Sequence, residues 1–207
     1  THFPTAERED GFRDEQVRYF TTLVRILETK GITFRYRHAA NSAASLKVRT
    51  PVLNLIRPGL MLYGIYPDPS LRGIVNVSPI LSLKSRIIFL KRIKAGDSVG
   101  YGRDFTADQP LTIAILPIGY SHGYPFHLSS RSWVLYRGKR YPLAGRVSMD
   151  YLAVNLQDDP AKIGDIVTLL GEDGTESIKA EDLAEWSETI PYEIVTRLVS
   201  SLPRLYA

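Results

Sequence analysis

The sequence predicts an α/β unit of the parallel type followed by an all-β domain that ends in helices. Three observations carry this. Strand-like apolar runs alternate with helical patterns before residue 66. A stretch rich in Pro, Asp, Gly and Asn, Tyr66 to Ser78, then breaks all periodicity. Beyond it, strand patterns follow one another without long helices between them. The expected division is therefore 1–78 and 79–207, with Tyr66 to Ser78 as the linker.

Thr1 to Thr5 reads as a strand end entering a loop, with Pro4 stopping regular structure. A helix is expected from Arg13 to Lys30. Val17, Phe20, Leu23, Val24 and Leu27 recur there at helical spacing, and Gly31 is placed to end it. Ile32 to His38 alternates apolar and polar residues, which predicts a strand. Ala39 to Ala44 is a small-residue turn opening a short helix near Leu46, with Ser42 as its N-cap. Val52 to Ile56 then reads as a buried strand with both faces covered. It runs into Arg57, Pro58 and Gly59, and Leu60 to Tyr63 resume in a helix-compatible piece.

In the second part, Leu81 to Ile93 is a long β-rich run that turns at Lys94 to Asp97 and continues through Val99 to Arg103. Leu111 to Pro117 is a strand. Trp133 to Tyr136 pairs with Arg140 to Leu143 across Arg137, Gly138 and Lys139. Tyr151 to Leu156 and Ile166 to Leu170 complete the β set, and helices return at Ala180 to Trp186 and Tyr192 to Ser200.

Bulk properties narrow the function classes. With 207 residues, 44% hydrophobic and 23% charged, the chain has the composition of an ordinary globular protein. Its net charge of +4 is spread along the chain, so no nucleic-acid partner is expected, and the excess suits a small anion. Absence of cysteine rules out disulfides and thiolate metal sites and suits a reducing compartment, here taken as cytoplasmic. No apolar run approaches the ~20 residues of a membrane helix, so no membrane role is expected. The opening THFPT has no initiator Met and predicts a start inside a larger fold.

Chemistry is expected at the carboxyl ends of the first strands, where α/β folds hold ligands. Arg57 places a cation beside the Pro58-Gly59 turn, and His38 and Ser42 follow the neighbouring strand. Each has an ordinary structural explanation: a solvent-seeking Arg, a satisfied buried His, a capping Ser. In the second part, Tyr101 lies between two glycines, and Tyr120 sits in a Gly/Tyr-rich loop. Arg146 and Asp150 bracket apolar residues, as a bulged strand with a surface ion pair would. His122 and His127 share a loop without a third ligand at an established spacing, so no metal site is expected.

Taken in order, THFPTAE, HAANSAA, IRPGLMLYGI, GDSVGYGRDFTA, PIGYSHGYP, GRVSMD and PYEIVTRLVSSLPRLY resemble successive blocks of the bacterial alanine racemase family. The resemblance runs from Thr1 to the last residues. It implies the last units of a (β/α)8 barrel followed by a β domain, pyridoxal 5'-phosphate as cofactor, and a homodimer whose sites are shared between subunits. It further implies that Arg57 lies against the pyridine nitrogen, supported by His2 and His38. A guanidinium neither loses nor accepts a proton, so that nitrogen stays unprotonated and the ring is a weaker electron sink. Ser42, the backbone at Gly59 and Leu60, and the Tyr192 hydroxyl would bind the phosphate. Tyr101 would be one of two bases in the partner's site, the Met149 backbone would hold the substrate carboxylate, and Tyr120 would narrow the entrance.

The departures are equally specific. The family's second base is the lysine that anchors the cofactor as a Schiff base, within a KANAYGHG-like run that nothing here matches; an upstream Arg that assists the tyrosine is also missing. The chain alone is therefore expected to be inactive. Glu7 stands for a usual Asp, Ser121-His122 for Ala-Asp, Phe126 for Arg and Ser148 for Cys. The rival expectations are a serine, lysine or broad-specificity racemase of the same fold, a decarboxylase of similar architecture, or a non-catalytic dimerisation and cofactor-holding module.

Overall fold

Two separately packed units, Thr1–Ile80 and Leu81–Ala207, divide the chain. The structure is a computed structural model that describes residues 1–198 and 202–206. Among the described residues no helix is long and apolar enough to cross a membrane.

The first unit is led by helix α1, Phe12–Thr29. Its end follows from Gly31, which takes φ +79°. The Gly31 N–H then reaches Glu28 O at 3.0 Å and the Ile32 N–H reaches Leu27 O at 3.0 Å, satisfying carbonyls the helix leaves open. Only part of the expected apolar stripe is covered: Val24 is buried, Val17 packs partly on the core, and Leu23 is exposed. The core itself is made of small residues, Ala6, Ala39, Ala40, Ala43 and Ala44, around Phe3 and Leu71. Helix α2, Ser42–Lys47, is capped by Asn41, whose side chain accepts from the Ala44 N–H at 3.0 Å. The expected cap Ser42 is thereby released from capping. Lys47 and Arg13 both grip Glu9, and the Lys47 hydrogen bond is the main cause that holds this carboxyl at about 2.

Three expectations for this unit fail. Ile32 to His38 and Val52 to Ile56 run alongside each other in parallel, but only His38 and Leu55 form a bridge. They are extended segments, and the second is not buried: Leu55 is 39% and Ile56 55% exposed. A parallel strand is buried by neighbours on both edges and layers on both faces, and a single bridge supplies neither. Tyr66 to Ser78 is not a free linker either. Leu71 is wholly buried in the core, the Tyr66 hydroxyl donates to Val75 O at 2.9 Å, and Pro69–Leu71 forms a turn of 3₁₀ helix capped by Asp68.

The second unit is antiparallel throughout. A five-stranded sheet runs β1 (Leu83–Arg86), β9 (Ile166–Asp173), β6 (Trp133–Tyr136), β7 (Lys139–Pro142), with β10 (Glu176–Ile178) also paired to β9. A three-stranded sheet runs β2 (Phe89–Ile93), β5 (Leu111–Leu116), β8 (Leu152–Asn155), and β3 (Ser98–Val99) pairs with β4 (Phe105–Thr106). The expected run Leu81 to Ile93 is thus two strands in different sheets. Its corner is Ile87, wholly buried and tied by its N–H to Asp165 O at 2.9 Å. Val99 to Arg103 does not continue as a strand, because Gly100 and Gly102 both take positive φ and wind Tyr101–Arg103 into one 3₁₀ turn. The β6–β7 hairpin turns on two residues, Arg137 and Gly138, at φ +51° and +73°, a primed turn matching the twist of its strands. Helices α3 (Ala180–Trp186) and α4 (Pro191–Arg197) follow; the last residues of the expected helix Tyr192 to Ser200 lie outside the described set.

A polar clamp ties the β6–β7 hairpin to the segment that leads into β9. The Tyr136 hydroxyl donates to Asp165 Oδ2 at 2.6 Å, Arg137 reaches the same oxygen at 3.2 Å, and Tyr141 donates to Asp159, which Lys139 also grips at 3.0 Å. Burial, reinforced by the Asp165 carboxylate, pushes the Tyr136 phenol up to about 12. Its proton is held more tightly folded than unfolded. The resulting stability is complete below about pH 10 and is lost as pH climbs toward about 12. Tyr136→Phe is expected to cost about 1–2 kcal/mol at neutral pH and to flatten the alkaline limb. Urea midpoints at about pH 8 and about pH 11 test this; an equally steep alkaline limb in the variant would contradict it.

Candidate active site

In the first unit, the chain path brings the predicted cation and its neighbours together. The Arg57 N–H donates to Ala40 O at 2.8 Å, which sets the end of one extended segment beside the start of α2. The Arg57 side chain then lies against two imidazoles: Nη1 meets His38 Nδ1, and Nη2 meets His2 Nδ1 at 3.1 Å and the Thr1 carbonyl at 3.1 Å. A guanidinium only donates. Both Nδ1 atoms must therefore carry lone pairs, which puts each ring proton on Nε2 and makes both histidines neutral. The Nε–H and the second Nη1–H of Arg57 have no acceptor among the described residues and are the donors left over.

Beside this cluster, Ser42 is buried, and its Oγ accepts from the Gly59 N–H at 2.9 Å. The hydroxyl proton of Ser42 is unspent, and the Leu60 N–H has no acceptor among the described residues. Gly59 opens the 3₁₀ turn Leu60–Tyr63, and a Cβ added to it would meet nothing within 4 Å, so space adjoins this backbone. Asn41 steadies the arrangement, since its Nδ2 donates to Phe3 O at 2.9 Å while its Oδ1 caps α2. Sequence reasoning gave Asn41 no role. The signal was present in Asn at the residue before a run of helix formers.

In the second unit, Tyr101 is 74% exposed, on a turn whose two glycines take φ +76° and +74°. A Cβ at Gly102 would lie 2.7 Å from both Arg146 Nη2 and Asp104 Oδ1, so the turn is packed on that ion pair (2.5 Å). Arg146 therefore pairs with Asp104 and not with Asp150, and residues 144–150 form a loop and not a bulged strand. The intervening loop carries Met149, whose carbonyl accepts from Ser121 N–H at 3.0 Å and whose own N–H has no acceptor among the described residues. Tyr120, half exposed, opens the adjoining turn and stacks edge-on to Phe126. Tyr192 lies in the first turn of α4 and is also part exposed.

The residues fit a phosphorylated pyridine in two respects. The Ser42 hydroxyl and the Leu60 N–H form a small set of donors with no competing carboxylate among their hydrogen-bond partners, which suits an anion. Arg57, fixed by its histidines, offers a further donor to a ring nitrogen that acts as an acceptor. No lysine of this unit is placed to anchor such a group: Lys47 is spent on Glu7 O and Glu9, both at 2.7 Å, and Lys30 caps the exposed end of α1.

Comparison with known proteins identifies the family. Residues 80–206 match the family model of the alanine racemase C-terminal domain, and residues 1–67 that of the N-terminal domain. The whole chain is 41% identical to alanine racemase of Carboxydothermus hydrogenoformans, covering 57% of that protein, and 38% identical to that of Halothermothrix orenii, covering 55%. Among solved structures, alanine racemase of Bacillus anthracis with bound L-Ala-P matches the entire chain at TM-score 0.94 and 34% identity, over 54% of its own length. The chain thus spans little more than half the length of the relatives it matches, and it belongs to the alanine racemase family.

Proposed function

We propose that this chain is the cofactor-side and β-domain portion of an alanine racemase, which interconverts L- and D-alanine. The observation that carries the reading is the Arg57 cluster, a donor-only cation held by two neutral histidines beside an anion cradle. Pyridoxal phosphate, when bound, supplies an electron sink that acidifies the α-proton of an amino acid. Arg57 donates to the ring nitrogen and has no proton to give it, which keeps that sink weak and favours return of the proton over side reactions. The Ser42 hydroxyl and the Leu60 N–H would hold the phosphate, with Tyr192 as a further hydroxyl, whereas the expected Gly59 donor is already committed, its N–H being spent on Ser42 Oγ. Ser42 accepts from the Gly59 N–H and keeps its own proton for the anion.

Tyr101 is the base on one face of the substrate. Its exposure on a glycine-framed turn suits a residue that works in a site completed by a second subunit, and the reading includes a homodimer in the cytoplasm. The Met149 N–H receives the substrate carboxylate, and Tyr120 limits the entrance. The lysine that would serve as second base has no counterpart on these residues, so the 207-residue chain by itself is inactive in this reading. The His122 and Phe126 departures are read as lying toward the entrance, and a substrate panel of alanine, serine and lysine separates the related racemases.

Two experiments test the reading in the intact enzyme. Tyr101→Phe is expected to lower racemisation about 10²–10⁴-fold in both directions, while solvent exchange of the α-proton survives for one enantiomer and is lost for the other. Deuterium incorporation followed by NMR reads this, and near-normal rates both ways would refute the role of Tyr101. Ser42→Ala is expected to weaken cofactor affinity about tenfold, measured by equilibrium dialysis, because it deletes one hydroxyl donor to the phosphate. Unchanged affinity would remove Ser42 from the cradle.

A further inference from the structure

The turn that follows β5 contains a proton assignment that the proposed chemistry does not use. The Gly119 N–H donates to His122 Nδ1 at 3.2 Å, so that nitrogen carries a lone pair. Ser121 Oγ lies 3.2 Å from the same nitrogen and 2.7 Å from Asp150 Oδ1. A hydroxyl has one proton, and the nearer, charged oxygen is the stronger acceptor. Ser121 therefore donates to Asp150, His122 is neutral with its proton on Nε2, and Nδ1 is left to cap Gly119.

The same two loops are also joined through their backbones. Tyr120 N–H reaches Ser148 O and Ser121 N–H reaches Met149 O, both at 3.0 Å. They approach so closely that a Cβ on Gly119 would stand 2.2 Å from Ser148 O and 2.4 Å from Met149 O. Met149 is thus held on its carbonyl side by Ser121, and the residue after it is held by the Ser121 hydroxyl. The Met149 N–H shares its peptide plane with the Ser148 carbonyl, which the Tyr120 N–H of the His122-capped turn holds, and it remains open among the described residues.

We propose that Ser121 and His122 are positioning residues for substrate binding: together they fix the Met149 peptide so that its N–H receives the amino acid's carboxylate. His122 acts through Gly119, by capping the turn that carries Ser121; Ser121 acts through Asp150 and the Met149 carbonyl. Neither touches the reacting atoms. The inference rests on the racemase reading above and deepens it by naming what sets the carboxylate site.

The test uses the intact enzyme with Ser121→Ala, Ser121→Thr, His122→Leu and His122→Asn. Ser121→Ala and His122→Leu are expected to raise KM for alanine about tenfold with kcat within about twofold, since they loosen binding and leave the base in place. Ser121→Thr keeps the hydroxyl and His122→Asn keeps an acceptor for Gly119, and both are expected to restore KM. Selective ¹⁵N labelling of Gly, Met and His adds a readout that mere folding would not move. His122 Nδ1 is expected to show the shift of an unprotonated ring nitrogen, and the Gly119 and Met149 amides to change together in His122→Leu but not in His122→Asn. An unchanged KM, a loss in kcat alone, or a protonated Nδ1 overturns the proposal. A parent enzyme that does not racemise alanine overturns the functional reading instead; the clamp is then judged by the amides, upheld by a joint response and overturned by independent ones.

Discussion

A guanidinium that can only donate determines most of what the first unit can do. Each hydrogen bond of Arg57 demands a lone pair from its partner, and the partners are His38 Nδ1, His2 Nδ1 and the Thr1 carbonyl. Two imidazoles pressed on one cation must both be neutral, since a charged ring would offer a proton where a lone pair is needed and would add like charge. The protonation states of three residues are thus fixed by one another. The backbone fixes their meeting point: the Arg57 N–H to Ala40 O and the bridge between His38 and Leu55 hold the two extended segments in register. A shift of one residue would turn both side chains to the opposite face.

That register also decides where the anion cradle lies. Ala40 leads directly into Asn41, which caps α2, and Ser42 is the first residue of that helix. Because Asn41 does the capping, Ser42 is free to face Gly59, two residues beyond Arg57. A cation site and an anion site are therefore built from two short peptides, 38–42 and 57–60, joined at one backbone hydrogen bond. In the second unit a different principle holds. There the sheets supply a stiff frame, with β5 buried along most of its length, and Tyr101, Tyr120 and Met149 all stand on turns that leave the sheets. Glycine makes those turns possible at Gly100 and Gly102 through positive φ, and at Gly119 through close approach.

What could be read from the sequence follows the range of the forces involved. The end of α1 at Gly31 and the helix Ala180–Trp186 were legible because capping and periodicity act over a few neighbours. Arg57 and Ser42 stood out as types, and the resemblance of ordered blocks gave them partners that spacing alone did not. Burial of Val52 to Ile56 was misread, since burial of a parallel strand depends on neighbours remote in sequence. The choice between Asn41 and Ser42 as cap was open to two adjacent residues of nearly equal capping strength, and tertiary demand at Gly59 decided it. Arg146 pairs with Asp104, 42 residues away, and not with the nearby Asp150, which Ser121 holds. No local pattern encodes such a choice, because exposed ion pairs differ by little energy.

The two halves of the proposed chemistry differ in what they require, and this explains how half the length of a relative can hold so much of a site. Binding a ring nitrogen and a phosphate needs donors from one local cluster, and the first unit builds that cluster with its own hydrogen bonds. Moving a proton to the opposite face of a carbon needs two bases on opposed sides of one plane, which no single cluster of adjacent loops supplies. Tyr101, in the proposed role, would meet half of that demand from an exposed turn, and Lys47, the buried-side lysine of the first unit, is held by Glu7 and Glu9 against the loop before α1. Drawing Lys47 away would leave Glu9 with Arg13 alone and would open the core at Ala43 and Ala44, where its helix packs. On the proposed reading, the covalent anchor would come from residues other than these, while the electronics of the ring would be set here, by a cation that cannot share its proton.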